Sequence, residues 1–248
     1  MPIFTVEERE HLRSELVSAA RNDPNLAGAA HTGSFASSRV DRWSDIDLAL
    51  CLKPAASHEE VVAKWTDSLY RDCGAVAHVD VRRGATLFRV FLLENTLQVD
   101  IAFWREEDFA ALGPSFRLIF GQAGPTRAAQ QPNPLALIGM AWLYALHVRS
   151  SLARDRVLQA EYMLTGMRNH VCDLMCLRSG VTAHQGRGLD DLSAADRNIA
   201  AACIPQSLES SELKRAFGHT VRALLKEVQQ SDRQMEARLA GPLKDLCE

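Results

Sequence analysis

The sequence predicts two domains, an α+β domain followed by an all-α helical bundle. Helical and strand patterns alternate from Thr5 to about Phe120, and almost every apolar pattern from Leu135 onward has helical spacing. A stretch rich in Gly, Pro and Gln, GQAGPTRAAQQPNP, separates the two patterns. We therefore expect a first domain over residues 1–125 and a helical bundle over residues 126–248.

Three short polar segments mark the helices of the first domain. The segment TVEE, which begins at Thr5, is a capping box and predicts the start of a first helix. The segment NDPN, which begins at Asn22, should end that helix because its residues favour turns. A second capping box, SHEE, begins at Ser57 and predicts a helix that runs to about Arg71.

Five apolar stretches of the first domain have the length and composition of strands. The short turn Glu94-Asn95-Thr96 predicts that the last two of them pair as a hairpin. The second domain shows helical spacing throughout, with interruptions near SGVTAHQGRG and near CIPQS. The five predicted strands comprise residues 26–32, 45–52, 75–82, 87–93 and 97–103.

Composition and charge narrow the classes of protein to which the chain can belong. The 248 residues are 47% hydrophobic and carry a formal net charge of −3, which argues against a protein that coats nucleic acid. No apolar run approaches the roughly 20 residues of a membrane-spanning helix. The acidic segment MPIFTVEERE does not resemble a signal peptide, and the six cysteines include no CxxC pair. We therefore expect a cytoplasmic protein with reduced thiols and with neither a membrane nor a nucleic acid as its partner.

Two carboxylates in the second predicted strand are the strongest indication of chemistry. Asp45 and Asp47 are two residues apart, so in a strand they project from one face while Ile46 and Leu48 project into the core. Two carboxylates side by side repel each other, and a bound divalent cation relieves that repulsion. Because oxygen ligands favour Mg²⁺, the pair predicts a magnesium site.

A third carboxylate from a neighbouring strand would complete such a site. Asp100 stands on the polar face of the fifth predicted strand, whose other face is apolar. Asp80 shows the same alternation in the third predicted strand and is the alternative. Its neighbours His78 and Arg82 resemble a solvated strand face, so we expect Asp100 to be the third ligand. The competing interpretation is that these aspartates are ordinary solvent-exposed residues on the faces of strands and bind no metal.

The order and spacing of these residues resemble the signature of the polymerase-β-like nucleotidyltransferase superfamily. That signature is a Gly-Ser pair, an Asp-x-Asp about ten residues later and a single Asp on a later strand. Here the three parts are Gly33-Ser34, Asp45-Ile46-Asp47 and Asp100, and the resemblance covers a little under half of the chain. It implies that the first domain is catalytic and contains a mixed, mainly antiparallel sheet flanked by helices.

The helical half resembles the second domain of antibiotic nucleotidyltransferases, which modify aminoglycosides or lincosamides. The segments that carry this resemblance are residues 154–162 and 186–192. The resemblance implies that the helical bundle is a substrate-binding domain.

The resemblance also implies a reaction. A nucleotidyl group, AMP being the first expectation, passes from a nucleoside triphosphate such as ATP to a hydroxyl, and pyrophosphate is released. Asp45 and Asp47 would hold two Mg²⁺ ions, and Asp100 would bind one of them and accept the proton of the attacking hydroxyl. Gly33 would let the backbone approach the triphosphate, and Ser34 would bind its terminal phosphates.

Two arginines follow the Gly-Ser pair, and both are candidates for neutralising phosphate charge. Arg39 occupies a position that the superfamily often fills with a basic residue, and Arg42 lies three residues further on. Each could instead be a solvent-facing arginine of a loop. Many members of the superfamily carry a glycine nearby, whereas this sequence has Ser37-Ser38, which leaves the shape of the loop open.

The acceptor is the least constrained part of the prediction. Aminoglycosides are polycations, and Glu106 in the first domain and Glu161 in the second are candidate acidic contacts for one. Glu161 could instead pair with Arg154 or Arg168 on the same helix face. An aminoglycoside is the first expectation. The alternatives are a lincosamide, another metabolite, a protein or a tRNA, or else a degenerate, non-catalytic nucleotide-binding protein. A homodimer is left open.

Overall fold

The computed structural model describes residues 3–111, 113, 115–127 and 131–247. The chain divides into two compact units, Met1–Ala129 and Gln130–Glu248. Each unit has its own buried apolar core, as is typical of parts of a chain that bury their apolar surface separately. The first unit combines strands with helices, and the described part of the second is helical.

The first unit contains three α-helices and six strands within its described residues. Its helices are α1 (Val6–Asn22), α2 (Gly33–Ala36) and α3 (His58–Asp72). Its strands are β1 (Leu26–Thr32), β2 (Ile46–Leu52), β3 (Ala75–Arg83), β4 (Thr86–Leu93), β5 (Gln98–Arg105) and β6 (Phe116–Phe120). The five predicted strands and both predicted helices are confirmed, with bounds that differ by no more than one or two residues.

Side-chain caps explain why α1 and α3 begin where they do. The Thr5 hydroxyl accepts the backbone N–H of Glu8 at 3.1 Å, and the Glu8 carboxylate accepts the backbone N–H of Thr5 at 2.7 Å, which completes the predicted capping box. At α3 the Ser57 hydroxyl accepts the backbone N–H of Glu60 at 3.3 Å. Both caps satisfy N–H groups that the first helical turn leaves unpaired.

The six strands form one sheet in the order β3-β4-β5-β2-β1-β6. Within the described residues β2 and β5 run parallel, and the other four neighbouring pairs are antiparallel. The β4–β5 pair is the hairpin that the turn at Glu94 predicts. The expectation of a mixed, mainly antiparallel sheet flanked by helices is therefore confirmed.

The two faces of the sheet differ in what covers them. One face packs against α1 and α3 and forms the main core of the unit, in which Leu50, Ile101 and Phe103 are fully buried. The opposite face carries a smaller buried cluster that includes Ala49 and Ala102. Small side chains at the centre of this second face leave room above the sheet for a cleft.

Two elements of the first unit lie outside the sequence prediction. Strand β6 pairs with β1 at the edge of the sheet, where its FRLIF sequence shows no clean alternation of buried and exposed residues. Helix α2 is a single turn of four residues, which is too short to produce a helical period. In addition, β2 begins at Ile46, so Asp45 lies one residue before the strand.

The second unit confirms the predicted helical bundle. Its helices share one apolar core, and two of its connections lie where the sequence predicts breaks: a short turn at His184–Gly186 and residues 203–209. Within residues 131–247 the helices are α4 (Pro134–Leu152), α5 (Val157–Arg178), α6 (Ala194–Ala202), α7 (Ser210–Ser231) and α8 (Arg233–Asp245).

Two further breaks in the second unit are not apparent from the sequence. Asp155, between α4 and α5, has a φ of 54°, a left-handed conformation that does not continue a helix. Asp232 separates α7 from α8 and caps α8 by accepting the backbone N–H of Met235 at 2.9 Å. Each break depends on the conformation or side-chain contact of a single residue, which apolar spacing does not reveal.

Helix α4 departs from the expectation that no segment is apolar enough to span a membrane. Its 19 residues reach a mean hydropathy of 1.3, and by length and composition alone it could cross a bilayer. This mean hydropathy includes the polar residues His147 and Arg149, which interrupt the apolar run. Core helices of soluble proteins pass the same test, and 33% of this window is buried.

Candidate metal and nucleotide site

Three aspartate side chains meet at one end of the parallel pair of strands. Asp47 of β2 and Asp100 of β5 are direct neighbours in the strand register, and Asp45 lies just before β2. One carboxylate oxygen from each residue lies within 4.8 Å of the other two, and all three residues are half-buried. Asp45 and Asp47 share a face because buried Ile46 and Leu48 alternate with them. The structure thus brings together the three carboxylates that the sequence singles out.

The chemistry of this donor set fits a divalent cation. Three carboxylates at this separation repel one another, and an ion bound between them would remove the repulsion. Mg²⁺ typically binds to proteins through a few carboxylates and takes its remaining oxygens from phosphates and water. Asp45, Asp47 and Asp100 are therefore the residues that could hold the metal.

The amide of Gln98 links two of the three carboxylates. Its Nε2 donates to Oδ1 of Asp100 at 2.9 Å and to Oδ2 of Asp45 at 3.3 Å. Gln98 precedes Asp100 by two residues in β5, so both side chains stand on the same face of the sheet. The sequence shows this alternation but not the link, because Asp45 comes from a distant part of the chain.

Asp80, the alternative third ligand, is occupied elsewhere. Its carboxylate accepts two hydrogen bonds from Arg89 of the adjacent strand, at 2.7 and 2.8 Å. These bonds are the largest cause that holds the pKa of Asp80 below its ordinary value. Arg89 also donates to Thr66 of α3, so the pair lies on the helix-covered face of the sheet. Asp100 stands on the opposite face.

Gly33 brings the backbone against the carboxylate of Asp47. It follows β1 directly and has a φ of 61°, in the left-handed region that favours glycine. A Cβ atom at this position would collide with the Asp47 carboxylate. A glycine is therefore required for the turn to pass this close to the three aspartates.

The hydroxyl of Ser34 is buried and has no hydrogen-bond partner in the described part of the chain. The Ser34 carbonyl accepts the hydroxyl of Ser37 at 3.2 Å and the backbone N–H of Arg39 at 3.0 Å, and these bonds fix the turn. A buried hydroxyl without a partner costs about 1–3 kcal/mol. The arrangement therefore fits a ligand oxygen, such as that of a phosphate, beside the three carboxylates.

Phe35 anchors the short helix α2 among basic side chains. The ring centroid of Phe35 lies 3.4 Å from the guanidinium of Arg13, 4.3 Å from that of Arg117 and 4.4 Å from the ring centroid of His31. Burial, followed by the charges of Arg13 and Arg117, lowers the pKa of His31 to about 4. Burial, followed by the charges of Arg9 and Arg117, lowers the pKa of Arg13 to about 10. His31 is therefore neutral at pH 7.

Arg9 connects α1 to the loop that precedes Asp45. Arg9 is 1% exposed. Its Nη1 donates to the backbone carbonyls of Asp41 at 2.6 Å and Ser44 at 3.0 Å. A buried guanidinium needs such partners because an unpaired charge away from water is costly. The sequence contains a signal for this role, since Arg9 stands at the helical spacing of the buried stripe that Leu12 and Leu16 continue.

Arg39 and Arg42, the predicted phosphate ligands, lie in the exposed loop between α2 and β2. The guanidinium of Arg42 lies over the ring of Trp43, 4.3 Å from its centroid. Arg39 is tied to the Gly-Ser turn through its backbone N–H. Their contact with a phosphate stays a prediction.

A cleft of about 180 Å³ opens on the face of the sheet that carries the aspartates. Asp47, Asp100 and a cation, Arg83, are the charged residues among its described lining. The indole Nε1 of Trp104 is buried, and no described residue accepts a hydrogen bond from it. The sequence does not single out Arg83, because an arginine at the end of an edge strand has the same sequence pattern as an ordinary solvent-exposed arginine. The remaining lining residues are Thr32, Leu48, Phe88, Ala102, Ala110, Ser115 and Phe116.

Glu106, a predicted contact for a cationic acceptor, lies at the opposite end of β5 from Asp100. Asp100 is the third residue of the strand, and Glu106 follows its last residue. Glu106 lines a separate cleft together with Glu107, Lys53 and Arg105, in which Arg105 pairs with Glu107 at 3.9 Å.

Glu161, the second predicted acidic contact, lies on α5 in the helical unit. Its carboxylate accepts a hydrogen bond from the hydroxyl of Thr165 at 2.6 Å. The ion pairs of the described residues do not include one between Glu161 and Arg154 or Arg168. One reason is that Arg154 precedes the helix and does not share a helical face with Glu161. A role for Glu161 in binding an acceptor stays a prediction.

No protein-family model matches the chain, and no curated protein sequence matches it. Among solved structures, an aminoglycoside 6-adenyltransferase from Bacillus subtilis is 12% identical over 96% of this chain and 98% of its own, with a TM-score of 0.38. A nucleotidyltransferase-like protein from Exiguobacterium sibiricum 255-15 is 11% identical over 92% of this chain and 77% of its own, with a TM-score of 0.35. The Cid1 poly(U) polymerase is 17% identical over 41% of this chain and 32% of its own, with a TM-score of 0.31. These chains belong to the class that the sequence resembles, but TM-scores this low say nothing about activity.

Proposed function

We propose that the chain is a Mg²⁺-dependent nucleotidyltransferase that moves a nucleotidyl group, AMP from ATP in the simplest case, to a hydroxyl of a small molecule. The observation that carries this proposal is the approach of the Gly33 turn to Asp47 within the group of three aspartates. Mg²⁺ held by carboxylates takes further oxygens from phosphates. The turn offers a place for them, with the buried Ser34 hydroxyl as a donor.

Asp45, Asp47 and Asp100 would hold two Mg²⁺ ions between them. Bound there, two such ions stabilise charge on the attacking and leaving oxygens of an in-line displacement. The acceptor oxygen forms a bond to the α-phosphorus while the bond from that phosphorus to the bridging oxygen breaks, which releases pyrophosphate. Asp100 would accept the proton of the attacking hydroxyl.

The segment after β1 would bind the leaving end of the triphosphate. Gly33 lets backbone N–H groups come close to it, and Ser34 donates its hydroxyl. Arg39 and Arg42 in the following exposed loop would neutralise phosphate charge as the nucleotide binds.

The acceptor that we propose is a small hydroxylated antibiotic, bound with the help of the helical unit. This follows the sequence resemblance to antibiotic nucleotidyltransferases, whose substrates are aminoglycosides and lincosamides. The formal net charge of −3 disfavours tRNA as the acceptor, because a tRNA modifier needs a basic surface.

Adenylyl transfer can be tested directly with the purified protein. ATP and Mg²⁺ are incubated with a panel of aminoglycosides and lincosamides, and the products are analysed by mass spectrometry and by release of pyrophosphate. We expect an adenylylated acceptor that disappears with Asp100→Asn and persists with Asp80→Asn, a matched strand aspartate on the other face of the sheet. Equal product from Asp100→Asn and the unmodified chain would refute the proposal.

A further inference from the structure

We infer that a groove between α6 and α7 binds a carboxylic acid with an apolar body, at a site separate from the three aspartates. The groove has a volume of about 310 Å³, within the roughly 300–1,000 Å³ of typical small-molecule pockets. Its described lining residues all belong to the helical unit. The inference concerns a ligand other than the nucleotide and the acceptor, so it does not depend on the proposed function.

Helix α7 gives the groove a basic wall. Four basic residues, spaced by four, three and four positions, form one row along the same face of the helix. The last three of the row line the groove. The row contains no acidic residue, although the whole chain carries a formal net charge of −3. A local excess of positive charge attracts anions. The four residues are Arg215, His219, Arg222 and Lys226.

Arg215, at one end of the row, is occupied by contacts within the protein. Its Nη1 donates to the carbonyl of Ala202 at 3.0 Å, and its Nη2 donates to the carbonyl of Ile204 at 3.1 Å, where α6 ends. Its Nη2 also lies 2.7 Å from the carboxylate of Glu212. Glu212 therefore offsets the charge of Arg215, and the two carbonyls take up its N–H groups.

Lys226, at the other end of the row, is matched by a network of charges. Its Nζ lies 3.6 Å from the carboxylate of Asp196 on α6. Asp196 also lies 2.9 Å from Arg178, which in turn pairs with Glu227 at 2.8 Å. The two cations and the two carboxylates of this network cancel one another. Neither end of the row therefore contributes a net positive charge.

Arg222 lies between these two ends, and no described residue forms an ion pair or a hydrogen bond with its guanidinium. His219, one turn earlier, has no described hydrogen-bond partner either. Burial, followed by the charges of Arg222 and Arg215, lowers the pKa of His219 from 6.5, and Glu212 opposes this shift. The imidazole is therefore neutral at pH 7. The middle of the groove thus holds one unmatched positive charge, on a guanidinium.

A carboxylate is the anion that matches this charge. It carries a single negative charge at pH 7, and a guanidinium binds its two oxygens through two parallel hydrogen bonds. The groove offers further donors in the imidazole of His219, the ammonium of Lys226 and the amide of Asn198. A phosphate ester carries nearly two negative charges at pH 7, so one of them would stay unmatched.

The rest of the described lining is apolar. It consists of Ile199 and Ala202 on α6 and Ala223 on α7. The two alanines have small side chains, so this part of the groove leaves space for a ring or a chain. A ligand that covers the apolar surface gains affinity by removing it from water. We therefore assign the ligand an apolar body next to its carboxylate.

The first test follows the fluorescence of 2-naphthoate as the purified protein is added, with EDTA present so that no divalent cation contributes. The probe has a carboxylate and an aromatic body, whereas 2-naphthamide lacks the charge and acetate lacks the body. We expect 2-naphthoate to bind at least tenfold more tightly than either, with acetate measured by competition. Equal affinity for either of them, or no binding of 2-naphthoate, would overturn the inference. Tighter binding of 2-naphthyl phosphate would overturn the assignment to a carboxylic acid.

The second test locates the binding with Arg222→Met. Lys214→Met is the matched control, because Lys214 is an exposed cation of α7 outside both the basic row and the lining of the groove. The Kd for 2-naphthoate should rise at least tenfold in Arg222→Met and less than twofold in Lys214→Met. In the unmodified chain the probe should also raise the pKa of His219, followed by NMR, because a nearby negative charge favours the protonated imidazole. Equal binding by Arg222→Met and the unmodified chain, or an unchanged pKa of His219, would place the probe elsewhere and overturn the inference.

Discussion

The carboxylate of Asp47 has the backbone of Gly33 on one side and the carboxylate of Asp100 on the other. It therefore faces both the proposed phosphates and the proposed acceptor, and small displacements at this residue affect both. Ser34 contributes a buried hydroxyl to the same place. The proposed activity depends on how closely these few residues approach one another.

Gly33→Ala tests the close approach of the turn to Asp47. The added methyl group would displace the carboxylate, and the left-handed backbone would add about 1–2 kcal/mol of strain. We expect the affinity for Mn²⁺ in the presence of ATP to fall at least tenfold, measured by calorimetry.

Gly74→Ala is the matched control for the strain alone. Gly74 has a φ of 72°, and a Cβ atom there would meet no atom within 4 Å. This variant should lose a similar amount of stability and keep its affinity for Mn²⁺. Equal losses of affinity in both variants would show that the Gly33 effect comes from the backbone and not from Asp47.

Single residues of the site differ in how well the sequence reveals them. Asp45, Asp47 and Asp100 are predictable because each is a polar residue on an otherwise apolar strand pattern. Gln98 shares that pattern, but its bond to Asp45 depends on the pairing of two distant strands. Arg83 is not predictable, since only the β3–β4 register shows which face it occupies.

At the scale of elements, α1 positions the loop that carries Asp45. Arg9→Met would remove a buried guanidinium together with its hydrogen bonds to the carbonyls of Asp41 and Ser44 and its ion pair with Glu10 at 3.1 Å. We expect the free energy of unfolding to fall by about 2–4 kcal/mol in urea titrations. We also expect weaker binding of Mn²⁺, because the loop before Asp45 loses its anchor.

Arg21→Met is the control in the same helix. Arg21 is exposed, donates one hydrogen bond to the carbonyl of Ile119 on β6 and lies 5.5 Å from the ring centroid of Phe120. It should cost less than about 1 kcal/mol and leave Mn²⁺ binding unchanged. If Arg9→Met is destabilised but binds Mn²⁺ normally, Arg9 has a structural role alone.

The contact between β1 and α2 should make stability depend on pH. The pKa of His31 falls from 6.5 to about 4 on folding, chiefly through burial and then through Arg13 on α1 and Arg117 on β6. Between these values the unfolded chain binds more protons, so stability is full above pH 6.5 and declines as the pH falls towards 4. The decline is at most about 1.4 kcal/mol per pH unit.

Urea titrations of His31→Gln at pH 7 and pH 4.5 check this dependence. The variant should lose less stability between the two pH values than the unmodified chain does. His11→Gln, at an exposed histidine of α1, should behave like the unmodified chain. An identical decline in His31→Gln would contradict the assignment to His31.

Elements were predictable where the pattern is long or carries a cap. The capping box at Thr5, the N-cap at Ser57 and the apolar stretches of β2 and β5 are local features, so the sequence suffices to predict them. Strand β6 is short and lies at the edge of the sheet. It is recognisable by its pairing with β1 and not by a pattern in its own sequence. The break at Asp155 depends on one left-handed residue, which no periodicity reports.

At the scale of the whole molecule, the sequence predicts an α+β part followed by a helical part because the apolar period changes once along the chain. The parallel pairing of β2 with β5 could not be predicted from the apolar period of the sequence. These two strands are distant in sequence, so which strands pair depends on the whole unit and not on a local pattern. That pairing is what converts three separate aspartates into one site.

Binding of Mn²⁺ in the presence of a non-hydrolysable ATP analogue, followed by electron paramagnetic resonance, tests the central claim most directly. The account predicts that the unmodified chain binds Mn²⁺ with the nucleotide and that Asp47→Asn binds it at least a hundredfold more weakly, since one of three carboxylates is lost. Binding of equal strength in both proteins would contradict the assignment of Asp45, Asp47 and Asp100 as a metal site.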